Sequence, residues 1–261
     1  MAGREQQVDD FTAALLDGPG AHERISLVTG LRGVGKTVLL NAFEDAARVQ
    51  SWWVISETAT PGFTQRIMDE AFRLTAQLEG GRKRKVSGVN IAPVGGIQLS
   101  EDNSYQPGPS LRRALEHFLD LQSQLDDQLG QSPVGLLITL DELHHNRKEE
   151  VVEFGAIVQH LVRQDRQIAV SMAGIPQSVK PLLANEAGGN PVTFLRRANR
   201  IDLGLIVDSD VRDALSEPLE QLGLRWDEPA LDCAVAACSG YPFLIQLVGQ
   251  ESFRRREGDA A

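Results

Sequence analysis

Cysteine, aromatic residues and long apolar runs are all scarce in this chain of 261 residues. Its two cysteines, Cys233 and Cys238, lie in a segment typical of a helix, and their spacing fits neither a disulfide framework nor a zinc site. We therefore expect both to be core residues of a reduced, cytoplasmic protein. The polar start is followed by no apolar signal region, and no run is long enough to span a bilayer, so we expect neither secretion nor membrane anchoring.

Positive charge is also in short supply, because the formal net charge is −10 and the sequence pI is about 5.0. An acidic chain is repelled by nucleic-acid phosphates unless its basic residues are segregated on one face. The two basic runs, Arg82–Lys85 and Arg254–Arg256, are typical of a solvated loop and a solvated helix end. The charge balance therefore does not indicate nucleic acid as a partner.

Apolar runs alternate with amphipathic segments up to about Val207, and only helical patterns follow. The predicted strands are Ile25–Thr29, Trp52–Ser56, Val134–Leu140, Gln167–Ala173 and Arg200–Ile206. The predicted helices are Asp10–Leu16, Lys36–Ala47, Pro61–Leu78, a helix capped by Ser110 that runs to Leu129, Val151–Arg163, Gln177–Asn185, Asp208–Leu222, Glu228–Ala237 and Gly240–Arg255. Val86–Ile91 and Gly96–Leu99 are predicted to pair as a hairpin.

Strands that alternate with helices predict an α/β fold, a parallel sheet with helices on both faces in three layers. The helical tail predicts a separate small subdomain packed at one end. We place the boundary at residue 207, which gives a core of residues 1–207 and a helical subdomain of residues 208–261.

A glycine-rich loop between the first strand and the next helix carries the strongest functional signal. Gly30–Thr37 fits the pattern G-x-x-x-x-G-K-[ST], the P-loop, whose backbone N–H groups point at phosphate oxygens. In this interpretation Lys36 reaches the β- and γ-phosphates, and the Thr37 hydroxyl binds Mg²⁺. The cofactors are then ATP or ADP with Mg²⁺. The candidate nucleotide-binding residues are Gly30, Leu31, Arg32, Gly33, Val34, Gly35, Lys36, Thr37 and Val38.

A P-loop also needs a carboxylate to hold the metal ion, and Asp141-Glu142 follows the apolar run Leu136–Leu140. We predict that Asp141 binds Mg²⁺ together with Thr37, and that Glu142 is the general base for the attacking water. The competing interpretation is that acidic residues commonly follow strands. His144-His145 stands next to this pair, but consecutive histidines do not both face one ion, so we expect a solvated or supporting role.

Arginines are the remaining candidates for catalysis. Arg196 and Arg197 precede the last predicted strand, and an arginine near a γ-phosphate neutralises developing charge, in cis or from a neighbouring subunit. We select Arg197 first and Arg196 second. Structural ion pairs are an equally good explanation for both.

The order of these motifs resembles that of the origin-recognition-complex-like AAA ATPase domains. It is also similar to the signal-transduction ATPases with numerous domains (STAND) and to an actinobacterial set of proteins described as ATP-binding. The resemblance rests on the P-loop and on the acidic pair Asp141-Glu142. It also rests on four shorter segments: Gly3-Arg4-Glu5, Gln167–Gly174, Phe194–Arg197 and Gly240-Tyr241-Pro242. It implies a P-loop NTPase fold with a small helical lid, with Arg4 near the adenine and Pro242 as the lid residue that contacts the nucleotide.

Three departures from the family pattern limit what it implies. The sensor-1 position is held by Ser171 or a neighbour, and no arginine stands in the first turn after Gly240. We expect no winged-helix domain between the lid and the last residue, Ala261. The DNA-binding role of the family is therefore not expected here.

The sequence as a whole favours a Mg²⁺-dependent ATPase, slow or partner-dependent, that acts as a nucleotide-controlled switch. An unknown protein or a second copy of the chain would be its partner. The alternatives are a DNA-binding, origin-recognition-like or transcription-regulating ATPase, an ADP-bound interaction scaffold without turnover, and a small-molecule kinase.

Overall fold

The computed structural model describes residues 3–86, 110–144, 148–183 and 193–258. Five strands lie within these ranges: β1 (Ile25–Gly30), β2 (Trp53–Thr58), β3 (Leu136–Asp141), β4 (Ile168–Gly174) and β5 (Asn199–Leu203). The helices are α1 (Glu5–Asp17), α2 (Lys36–Val49), α3 (Phe63–Val86), α4 (Leu111–Leu129), α5 (Lys148–Arg163), α6 (Pro176–Leu183), α7 (Thr193–Arg196), α8 (Asp208–Glu220), α9 (Glu228–Cys238) and α10 (Pro242–Gly258). In the described part of the chain, no helix is both long and apolar enough to cross a bilayer.

The strands form one parallel sheet in the order β2-β3-β4-β1-β5. Helices α1 and α2 cover one face, where Phe11 stacks on Phe43 with ring centroids 4.3 Å apart. Helices α3 to α6 cover the other face, where Phe63 meets Phe154 edge-on. Strands β3 and β4 are apolar on both sides because both faces are covered. The predicted three-layer α/β fold is thereby confirmed.

Most boundaries lie close to the predicted ones, and Ser110 caps α4 by accepting from the Arg113 N–H at 3.4 Å. Strand β5 ends at Leu203 rather than Ile206, because the Ile206 N–H donates to the Gly240 carbonyl and draws the chain toward the C-terminal helices. Helix α1 begins five residues earlier than predicted, and α3 runs eight residues beyond Leu78. The predicted hairpin lies outside the described residues, apart from Val86, which ends α3.

The C-terminal helices α8 to α10 share an apolar cluster of their own, separate from the two clusters that flank the sheet. Val211, Leu215, Leu231 and Cys238 are among its buried members. Cys238 is therefore a core residue, as predicted, whereas Cys233 is exposed and its predicted core position is wrong.

A buried arginine ties α1 to the sheet. Arg24, only 1% exposed, donates to the carbonyls of Ala14 and Leu15 at 2.8 and 2.6 Å and to Gln167 Oε1 at 2.8 Å. Its guanidinium also lies over the Trp52 ring, 4.8 Å from the centroid. Burial lowers the pKa of Arg24 to about 10. Because the two carbonyls belong to the last turn of α1, they have no partner within the helix, and Arg24 supplies their donors.

We expect the substitution Arg24→Met to lower the free energy of unfolding by about 2–4 kcal/mol. The methionine fills the space of the arginine stem, but two buried carbonyls and one amide oxygen lose their donors. The measurement is urea unfolding followed by circular dichroism. Arg254→Met is the control, because Arg254 is exposed and makes a single ion pair with Glu251 on the same helix. Equal effects of the two substitutions would contradict the role assigned to Arg24.

Candidate functional site

The loop Leu31–Gly35 connects β1 to α2 and depends on its glycines. Gly33 and Gly35 have φ angles of 82° and 94°, a left-handed conformation that side chains disfavour. A Cβ at Gly30 would lie 2.7 Å from the Leu203 carbonyl of the adjacent strand β5. The backbone therefore wraps tightly at the start of α2, where helix N–H groups are free to bind an anion.

Lys36 lies across this loop. Its Nζ donates to the carbonyls of Gly30 at 2.9 Å and Leu31 at 2.8 Å. Partial burial lowers the pKa of Lys36, the Asp141 carboxylate opposes that shift, and the positive charge of Arg32 adds to it. The loop thus places an ammonium group at the start of α2, close to a carboxylate and a guanidinium.

The carboxylate of Asp141 joins the two predicted motifs. Its Oδ2 accepts from the Thr37 hydroxyl at 2.6 Å, and its Oδ1 accepts from the Glu142 N–H at 2.7 Å. Glu142 has a φ of 56°, which is uncommon for a residue other than glycine and which recurs at functional sites. The end of β3 is therefore held against the first turn of α2 through the two residues predicted to bind Mg²⁺.

A cavity of about 750 Å³ brings these groups together. Lys36, Thr37, Asp141 and Glu142 line it along with Arg32. The remaining wall is formed by Ala59–Pro61, by Gly174, Ile175 and Ser178 after β4, and by Pro242, Phe243 and Gln246 of α10. Its volume lies within the range of small-molecule and cofactor sites.

A second cavity, of about 530 Å³, adjoins the first between the loop and the C-terminal helices. The two cavities share Gly35, Val38, Pro242 and Gln246. The second is lined mainly by apolar side chains of α8 and α10, with Trp226 and Arg4 at its wall. Arg4 donates to the Gly204 carbonyl. We call the first cavity, which is lined by the charged side chains of Arg32, Lys36, Asp141 and Glu142, the polar cavity, and the second the apolar cavity.

The ligands at the polar cavity suit a hard cation. A hydroxyl and a carboxylate supply oxygen, which Mg²⁺ prefers, and Mg²⁺ usually takes its other ligands from water and phosphate. Within the described ranges, no cluster of three or more histidine, cysteine, aspartate or glutamate side chains is able to hold a metal. His144 lines the cavity, and His145 lies outside the described residues. The residues present therefore fit Mg²⁺ bound with a nucleotide.

The candidate arginines lie at the end of the sheet opposite to the P-loop. Asn199, two residues after Arg197, pairs with Ser26 near the start of β1, and His22 Nε2 donates to the Arg197 carbonyl at 3.1 Å. The P-loop follows the other end of β1, about 16 Å away at ~3.3 Å per residue. A cis role for Arg197 or Arg196 does not fit this placement. A role from a neighbouring subunit stays a prediction.

The structure also places the predicted sensor-1 residue, Ser171, and the residues after it. Ser171 lies in the middle of β4, fully buried, and its Oγ has no hydrogen-bond partner among the described residues. The residues that follow β4, namely Gly174, Ile175 and Ser178, are the ones that reach the cavity. Ser171 itself does not line this cavity, and the sensor-1 assignment stays a prediction.

Sequence reasoning missed the second bond between α2 and β3. Glu44, only 6% exposed, accepts from the Thr139 hydroxyl at 2.6 Å and from Arg48 at 2.9 Å. Glu44 lies two helical turns after Thr37, and Thr139 lies two residues before Asp141, so both pairs join the same helix to the same strand. An acidic residue among the apolar positions of α2 was the available signal.

Two further side chains fix the loop that faces the P-loop. Arg66 donates to Glu57 at 2.8 Å and to the carbonyls of Thr58 and Pro61. Both oxygens of Glu150 accept from the Gly62 N–H, at 3.2 and 3.1 Å. These contacts hold the far wall of the polar cavity, and no local sequence pattern signals them.

The parallel sheet, the glycine loop and the Thr37–Asp141 pair define the class of P-loop nucleoside triphosphatases. Within that class the chain belongs to the AAA ATPase domain family, whose model matches residues 1–171. The resemblance to AAA ATPases is thus confirmed, and with it an ATP-binding ATPase in general terms. Comparison with curated proteins finds no significant match.

Solved structures share the fold at low sequence identity. A Walker-type ATPase of Pyrococcus abyssi matches with a TM-score of 0.56 and 17% identity, over 97% of this chain and 68% of the other. AMPPCP-bound DnaA from Aquifex aeolicus gives 0.53 and 15%, over 97% and 61%. The replication initiator DnaA bound to AMPPCP and single-stranded DNA gives 0.50 and 16%, over 99% and 66%. The chain thus spans less than two thirds of these DnaA chains.

Proposed function

We propose that this protein binds ATP with Mg²⁺ and hydrolyses it, slowly or with the help of a partner, as a nucleotide-controlled switch. The observation that carries the proposal is the 2.6 Å bond between Thr37 and Asp141, beside Lys36 and Glu142 in one cavity. Structural relatives that contain AMPPCP support a triphosphate as the ligand.

In this proposal the phosphates occupy the polar cavity. The backbone N–H groups of the loop and the Lys36 ammonium bind the phosphate oxygens. Thr37 and Asp141 would hold Mg²⁺, which when bound supplies positive charge against those oxygens. Glu142 accepts a proton from the attacking water. The base enters the apolar cavity beside Arg4 and Pro242.

We further propose that residues 1–207 form the ATPase core and that residues 208–261 form a lid. The separate apolar cluster of α8 to α10 supports this division, as does the short connection between Leu203 and Asp208. Pro242 lies beside the P-loop, since a Cβ at Gly35 would be 3.5 Å from its ring. A γ-phosphate that contacts the loop and the lid together would bias the position of the lid.

Trp226 provides a test of the switch. It lines the lid side of the apolar cavity and its Nε1 donates to the Leu215 carbonyl at 2.9 Å, whereas Trp52 and Trp53 belong to the sheet region. We expect saturating AMPPCP and saturating ADP to give different tryptophan emission spectra, because they set different lid positions. The substitution Trp226→Phe should remove that difference. Two bound nucleotides with identical spectra in the wild-type protein would contradict the switch.

A nucleic-acid-binding ATPase is the second candidate. A structural relative bound to single-stranded DNA favours it, and the net charge of −10 disfavours it. Salt-sensitive binding of single-stranded DNA in a mobility-shift assay would support this candidate. Self-association is a further possibility, in which a second copy would present its exposed Arg197 and Arg196 to the polar cavity.

A further inference from the structure

Arg32 is an exposed guanidinium on the P-loop itself. It lines the polar cavity with Lys36, Asp141 and Glu142. Within the described ranges it makes no hydrogen bond or ion pair. Arg66, near the opposite wall, is by contrast fixed by Glu57 and by carbonyls of its own loop. Arg32 is therefore the arginine at this cavity whose donors are available to a ligand.

The charges around Arg32 indicate what that ligand is. Arg32 and Lys36 lie four residues apart on the P-loop and line the same cavity, so both place positive charge there. Two neighbouring cations repel each other, and of the two carboxylates that line the cavity, Asp141 is already engaged by Thr37 and by the Glu142 N–H. An anion with several negative charges relieves that repulsion. The pair thus favours a triphosphate over a diphosphate.

Position along the chain separates the roles of the two cations. Lys36 opens α2 and lies over the Gly30 and Leu31 carbonyls, within the loop. Arg32 precedes Gly33 in the loop and, like Lys36, lines the same cavity as Glu142. Arg32, which the loop carbonyls do not engage, is therefore the cation left to meet the phosphoryl group under attack.

We infer that Arg32 binds the γ-phosphate of ATP and neutralises its charge during hydrolysis, in cis; this inference rests on the proposed function. The oxygen of water forms a bond to the γ-phosphorus, and the bond from that phosphorus to the β–γ bridging oxygen breaks. Glu142 takes the proton of the water, and the products are ADP and inorganic phosphate. The guanidinium stays protonated and donates to two γ-phosphoryl oxygens, which its planar fork matches.

Binding and turnover test this role separately. We expect Arg32→Ala to weaken AMPPCP binding at least about 10-fold, the loss of a charge-assisted hydrogen bond, while ADP binding changes little. We expect its kcat for phosphate release to fall about 100-fold or more. Arg32→Lys should restore part of both losses. Arg73→Ala, on an exposed arginine of α3 paired with Glu70, is the matched control and should leave both measurements unchanged.

Three outcomes would overturn the inference. The first is an Arg32→Ala variant that releases phosphate as fast as wild type. The second is an equal loss of AMPPCP and ADP affinity, which would make Arg32 a structural part of the loop. The third is turnover that rises more steeply than protein concentration and is lost in Arg197→Ala, which would assign the cation to a neighbouring copy. If wild type binds nucleotide but does not hydrolyse it, the proposed hydrolysis fails, and the ratio of AMPPCP to ADP affinity still decides the role of Arg32.

Discussion

Substitution of Glu142 by glutamine is expected to lower ATP turnover by about 100- to 10,000-fold and to leave Mg²⁺-ATP binding nearly unchanged. Glutamine keeps the size of the side chain and one oxygen acceptor, but it does not take a proton from water at neutral pH. The bond from residue 142 to Asp141 uses the backbone N–H, so it survives the substitution. The Thr37–Asp141 pair is likewise untouched. The measurements are phosphate release at saturating ATP and equilibrium binding of AMPPCP.

Asp141→Asn gives the diagnostic contrast. Asp141 accepts from Thr37 and from the Glu142 N–H, and its proposed role is to hold the metal. We expect this variant to need more Mg²⁺ for half-maximal activity, whereas Glu142→Gln should keep the wild-type Mg²⁺ dependence. Wild-type turnover by Glu142→Gln would show that Glu142 is not the general base.

The substitution Lys36→Ala is expected to weaken ATP binding by about 100-fold or more, because a charge-assisted hydrogen bond contributes about 1.5–3 kcal/mol and the ammonium reaches two phosphates. ADP offers it the β-phosphate alone, so the loss of ADP affinity is expected to be about 10- to 100-fold. Alanine is compatible with the first turn of α2, so the helix should remain. Isothermal titration calorimetry with Mg²⁺ present measures the affinity. Circular dichroism checks that the variant is folded.

Lys180→Ala is the matched control for charge. Lys180 is an exposed lysine of α6 that does not line the polar cavity. Its removal changes the net charge equally and should leave nucleotide affinity at the wild-type value. If Lys36→Ala bound nucleotide as tightly as Lys180→Ala, the P-loop interpretation of Gly30–Thr37 would be wrong.

The sheet was predictable because each central strand must be apolar on both faces. Strands β3 and β4 are therefore buried along almost their whole length, and apolar residues predominate in both. The end of β5 was not predictable, since Leu205 and Ile206 continue its apolar pattern. A tertiary bond from Ile206 to Gly240 ends the strand, and neither residue signals the other locally. The start of α1 was not predictable for another reason, because its first turn is polar and lacks an apolar pattern.

The P-loop was predictable because its conformation depends on consecutive residues, including the glycines at positive φ. Contacts between distant residues were not. The bond from Glu44 to Thr139 and the fixation of Gly62 by Glu150 join separate elements. The placement of Arg197 could have been deduced. In a parallel sheet, the residues that precede the strands lie at one end of the sheet, and the loops that follow the strands lie at the other end. Arg197 precedes β5 and the P-loop follows β1, so the two belong to opposite ends.

The apolar cavity shows why a motif does not reveal a whole site. Arg4 and Pro242 were identified through a resemblance, whereas Trp226 has no pattern around it that indicates a ligand. Its position depends on how α8 to α10 pack on one another and beside the P-loop. The base-binding half of the proposed site is thus a product of tertiary structure.

The central claim is that the cavity beside Gly30–Thr37 binds a nucleoside triphosphate with Mg²⁺. Its most direct test is a calorimetric titration of the wild-type chain with AMPPCP, in the presence and absence of Mg²⁺. We predict saturable binding of one nucleotide per chain that is tighter when Mg²⁺ is present. A titration without saturable binding of AMPPCP or ADP at millimolar concentration would contradict the claim.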